Sequence, residues 1–127
     1  MKLLLDTHAF LWFVAGDERL SRRARQQLAA TGAQPVLSVA SVWEMAIKAG
    51  LKRLALPLPV DRFISEKVSD GLQILDIEWR HAAAVADLPW HHNDPFDRLL
   101  IAQALHEHLP VISADPYFPK YGVDLIW

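Results

Sequence analysis

Short apolar runs alternate with helix-patterned stretches along this chain, and an acidic residue stands at four of the junctions. The first run, Lys2 to Leu5, stops at Asp6, as a buried central strand does where polar residues begin. Helical patterns follow from Thr7 and again over about 21–30, the second closed near Gly32. The run PVLSVA is a second strand, and Ser41-Val-Trp-Glu44 has the spacing of a capping box opening the next helix. Pro57 and Pro59 precede a helix over about 60–70, LQILDI is a third strand, and a helix over about 78–86 comes after it. In DPFDRLLIAQALHE, Asn93 or Asp94 caps and Pro95 takes the first helical position. PVISA, ending at Asp115, is a fourth strand, and VDLIW is a short strand at the sheet edge.

Such alternation predicts an α/β fold in three layers, a mostly parallel sheet of four to five strands with helices on both faces and right-handed crossovers. Ligands of such sheets bind beyond the carboxyl ends of the strands, where Asp6 and Asp115 fall. At 127 residues, 52% of them hydrophobic, the chain builds one core and a single domain over 1–127. The apolar runs are far shorter than the roughly 20 residues that span a bilayer. Asp6 interrupts the first run too early for a secretory signal, so a cytoplasmic location is expected. Without cysteine there is no disulfide, thiolate zinc site or cysteine nucleophile, and any metal must sit on oxygen or imidazole.

The formal charge of −2 looks wrong for a nucleic-acid binder until the carboxylates are located. With Asp6, Glu44, Asp94, Asp97 and Asp115 set apart in one pocket, 10 of the 15 acidic residues remain against 13 basic ones. Such a surface is compatible with phosphate binding around a metal-neutralised centre.

Each carboxylate also has a purely local role. Asp6 can cap the helix after strand one, Glu44 completes a capping box, Asp97 sits in a capped first turn, and Asp115 before Pro116 suits a turn. Serine, threonine or asparagine would cap equally well without crowding negative charge onto one sheet edge, where it repels. Carboxylates at all four junctions therefore point to a hard cation such as magnesium, which takes oxygen ligands and keeps room for waters and substrate phosphate. Hydrolysis of a phosphodiester by a metal-activated water fits that arrangement.

In order and spacing, LLLDTH, SVASVWE, NDPFDRLLIAQA and VISAD resemble the four acidic motifs of PIN-domain nucleases, especially the VapC-type toxins of bacterial toxin–antitoxin pairs. The resemblance runs nearly end to end, and DPFDR before an apolar helix is its most specific part. It implies an endoribonuclease using Mg2+ or Mn2+, held inactive by a small antitoxin and commonly a homodimer. Residue by residue it implies that Asp6, Glu44, Asp97 and Asp115 bind the metal and carry catalysis. Asp94 matches a further acid near them, and Ser113, where threonine is frequent, can bond a carboxylate or a metal-bound water. Thr7, beside Asp6, is a supporting residue.

Lys48 and Lys52, one helical turn apart, and Arg98 beside Asp97 are candidate RNA contacts, although lysines at this spacing also form ordinary solvated faces. His8 is a candidate substrate contact. Six histidines invite a zinc site, but the adjacent His91 and His92 lack zinc-ligand spacing. Phe10, Trp12, Phe13 and Trp43 read chiefly as core, with a partner groove as the other use. A haloacid-dehalogenase site would need an acid at His8, and a receiver would pair early acids with a late lysine, for which Lys120 is poorly placed. A catalytically inactive PIN-like module that binds RNA or protein is the remaining alternative; the filled acidic positions count against it.

Overall fold

The computed structural model describes residues 1–127. Its elements run β1 (Lys2–Leu5), α1 (Thr7–Ala15), α2 (Arg22–Ala29), β2 (Gln34–Ser38), α3 (Val39–Gly50), α4 (Val60–Ser69), β3 (Gln73–Leu75), α5 (Trp79–Ala84), α6 (Pro95–Glu107), β4 (Val111–Ile112) and β5 (Leu125–Ile126). A 3-10 turn at Val85–Asp87 continues from α5, and another at Phe118–Tyr121 precedes β5. No helix is long and apolar enough to cross a membrane.

All five strands are parallel, in the order β3-β2-β1-β4-β5. The pleat sends alternate residues of β1 to opposite faces, and both faces are covered. Leu3 and Leu5 join Phe10 of α1, Leu28 of α2, Met45 of α3 and Phe63 of α4 in one core. Leu4 joins Ile101 and Ala104 of α6, with Phe118 and Tyr121, in the other. The expected three layers are therefore present, with α1 to α4 on one side and α6 on the other. Strand order reverses direction at β1, so a crevice opens between the carboxyl ends of β1 and β4. Asp6 begins there, its N–H bonded to the Ile112 carbonyl at 3.1 Å.

One helix start differs from the sequence expectation. Strand β2 ends at Ser38, whose Oγ accepts from Ala40 N at 3.0 Å and caps α3. Ser41 is already inside the helix, and its Oγ faces Thr7 Oγ1 at 2.9 Å. Glu44 is thus freed from any capping box and lies one turn further in. The Ser38 hydroxyl also donates to Gln103 Oε1 of α6 at 2.5 Å, tying the cap to the opposite layer. Ser38→Ala should cost about 1–2 kcal/mol, measured by urea unfolding, because it removes the cap and leaves a buried amide oxygen unpaired.

Candidate active site

Four chain segments bring carboxylates to the crevice. Asp6 follows β1; its Oδ1 accepts from Ala9 N at 2.8 Å, capping α1, and its Oδ2 accepts from the Ser113 hydroxyl. Glu44 points in from the second turn of α3, held by Thr7 Oγ1 at 2.7 Å and by Lys48 Nζ at 2.7 Å, one helical turn away. Asp94 caps α6 by accepting from Phe96 N and Asp97 N, which sets Asp97 in the first turn. Asp115 stands just beyond β4, accepting from Tyr117 N at 2.8 Å while its own N–H donates to Ser113 Oγ at 3.0 Å. All five acids line one cleft of about 380 Å³, with Thr7, His8, Lys48 and His92. The local capping roles of Asp6 and Asp94 and their place in the cleft are therefore not alternatives: one oxygen caps and the residue still faces the crevice.

Crowding has an electrostatic consequence. Burial is the main cause that lifts Asp97 to about 7, followed by the charge of Asp94, while His92 opposes the rise and Asp6 and Glu44 add to it. Burial also raises Asp6, against the opposing hydrogen bonds from Ser113 and Ala9. Five carboxylates facing one lysine leave the cleft short of positive charge. The clustered carboxylates are hard oxygen donors, which fits a divalent ion of the magnesium type better than a softer metal.

The family model of the PIN domain matches residues 3–124. The chain belongs to the PIN domain family. It is 29% identical over 114 residues to Ribonuclease VapC22 of Mycobacterium tuberculosis, covering 89% of this chain and 86% of that protein. Among solved structures, VapBC2 from Rickettsia felis, bound to a DNA fragment from its promoter, superposes with a TM-score of 0.71 at 14% identity, covering 98% and 97% of the two chains. VapBC-5 from Mycobacterium tuberculosis gives 0.60 at 19% identity, covering 98% and 94%. At such identities these structures speak to the fold.

Two basic positions and one aromatic one in this PIN domain differ from the sequence reading. Arg98 is only 3% exposed and does not face RNA. Its guanidinium turns away and donates to the carbonyls of Val85, Leu88 and Pro89 at 2.8–3.2 Å, with longer contacts of 3.4 Å to the His92 carbonyl and Tyr121 Oη. The arginine staples the loop before α6, and α5 with its 3-10 extension, to that helix. Lys52 lies beyond the end of α3 with a φ of 57° and is not part of the cleft lining, so it shares no helical face with Lys48. Trp43, expected in the core, is 58% exposed beside Phe96, whereas Phe10 is fully buried and Trp12 and Phe13 pack at the core margin.

His92 is the residue that spacing rules missed. Its Nε2 lies 2.8 Å from Asp115 Oδ2 and 3.1 Å from Asp97 Oδ2. Motif spacing looks for ligands along one segment, and His92 meets its partners from two. Its neighbour His91 turns instead against Tyr121.

Proposed function

We propose that this chain is a divalent-metal-dependent endoribonuclease acting as the toxin of a cytoplasmic toxin–antitoxin pair. The observation that carries the reading is the convergence of five carboxylates at the switch point of the sheet, one of them raised to about 7. Its likeness to a protein named as a ribonuclease supports the substrate class, and the toxin–antitoxin complexes among its structural neighbours support a small antitoxin as partner.

In this reading Asp6, Glu44, Asp97 and Asp115 hold Mg2+ or Mn2+. Bound there, the ion supplies an acidified water and stabilises negative charge on the scissile phosphate. Ser113 and Thr7 fix the carboxylates of Asp6 and Glu44 by donating to them, and Asp94 orients Asp97 through the first turn of α6. Lys48 is the cleft's one lysine and the best-placed contact for an RNA phosphate. The exposed Trp43, Ile47 and Leu51 on α3 suit a homodimer contact.

Cleavage of a fluorescent RNA should require Mg2+ or Mn2+, cease in EDTA, and fall at least about 100-fold in Asp6→Asn and Glu44→Gln. RNA binding in Mg2+ without cleavage by the wild type would favour an inactive binding module instead. Growth arrest on expression in a bacterial host, relieved by co-expressing a cognate small antitoxin, tests the toxin role separately.

A further inference from the structure

We propose that His92 is a built-in stand-in for the cation, a positioning residue whose Nε2–H donates to Asp115 beside Asp97 in the metal-free protein and withdraws from both carboxylates when a divalent ion binds. The inference rests on the metal-dependent reading above and assigns a role to a side chain which that reading leaves unused.

The hydrogen-bond network fixes the tautomer. His92 Nδ1 accepts the Asp94 N–H at 3.1 Å, so that nitrogen carries no proton and Nε2 does. A protonated nitrogen does not ligate a metal; it donates. The facing oxygens of Asp97 and Asp115 and the imidazole nitrogen all lie within 4.8 Å of one another; the N–H is hydrogen-bonded to Asp115, and Asp97 Oδ2 lies 3.1 Å from the same nitrogen. Two carboxylates this close repel, and the N–H sets its positive end beside both of them.

The ring is also held there by a dedicated frame. Tyr121 Oη accepts from the backbone N–H groups of His91 at 3.0 Å and His92 at 2.7 Å. Arg98 anchors the carbonyls of Leu88 and Pro89 just before that bend, and Tyr117 and Phe118 pack against the imidazole at ring separations of 5.2 and 6.3 Å. The frame leaves the carboxylates assembled before the ion arrives, and it makes the ion displace a hydrogen bond in order to bind. A contact made only in the metal-free state weakens metal binding by the same factor by which it stabilises that state.

The test is Mn2+ binding by isothermal titration to the wild type and to His92→Phe, which keeps an aromatic ring against Tyr117 and Phe118 but has no N–H. His92→Phe should bind Mn2+ about 10-fold more tightly and melt at a lower temperature in EDTA. Unchanged affinity, or affinity weakened as by loss of a ligand, overturns the proposal. Wild type that binds no Mn2+ overturns the metal-dependent reading, and the proposal with it. A second measurement needs no variant: imidazole 15N–1H spectra of the wild type titrated with Mg2+. The His92 Nε2 should keep its proton and lose its hydrogen-bonded shift, whereas a deprotonated Nε2 or an unmoved signal overturns the proposal.

Discussion

Asp97→Asn should raise the melting temperature of the metal-free protein above pH 7 and, on the proposed function, abolish RNA cleavage. The cause is the cost of ionising Asp97 among its neighbours. Its folded pKa of about 7 lies well above the ordinary 3.8, so between those values the unfolded chain sheds a proton that the folded chain retains. Stability from this group is therefore complete below about pH 4, declines as pH rises, and is fully lost above about pH 7. An elevation of that size is worth on the order of 2–4 kcal/mol, or roughly 8 °C or more in a domain of this length. Asparagine keeps the shape and sheds the charge, so in EDTA its melting temperature should exceed that of wild type at pH 7.5 and match it near pH 4. Asp6, also raised by burial, leaves a slope of the same sign in the variant. Mn2+ should stabilise wild type and do much less for Asp97→Asn. Thermal melts across pH 4–8, with and without the ion, check all three parts; a variant less stable than wild type at pH 7.5 in EDTA would refute the repulsive cluster.

Arg98→Ala has the opposite effect on stability. The guanidinium fans its donors to carbonyls along the loop from Val85 to His92, and an exposed Trp90 ring stacks on its other side at 3.9 Å. Removing it strands several carbonyls with no donor at once. The expected loss is on the order of 4 kcal/mol, a fall of roughly 15 °C. Arg98→Lys should recover less than half, because one ammonium group cannot reach carbonyls spread over a planar fork. Were Arg98 an exposed phosphate contact, either change would move stability by only about 0.5 kcal/mol. Circular dichroism melts distinguish the two roles directly.

The order of strands and helices was readable because β1 is apolar after Lys2 and α6 carries its own cap, Asp94-Pro95, and Asp6, Asp97 and Asp115 were readable because each lies where an element closes or opens. The start of α3 was not. Both Ser38 and Ser41 can cap, and only the pairing of β2 with β3 through Ser38 and Leu75 decides between them. Arg98 was misread for a related reason: a charged residue next to a candidate ligand looks solvent-facing in sequence, and its true partners are carbonyls up to 13 residues upstream. His92 escaped because its meaning lies in Asp115, 23 residues later, brought near by β4 pairing with β1.

The hydrogen bond from Ser113 to Asp6 joins positions 107 residues apart, and β4, which pairs with β1, follows α6 in the chain. Contacts of such sequence separation form late, since closing a long loop precedes any reward for it. During synthesis on the ribosome, a chain that has emerged only as far as α5 holds Asp6 and Glu44 but neither Asp97 nor Asp115. The cleft is then half a site, and it is complete only once the last third of the polypeptide has folded.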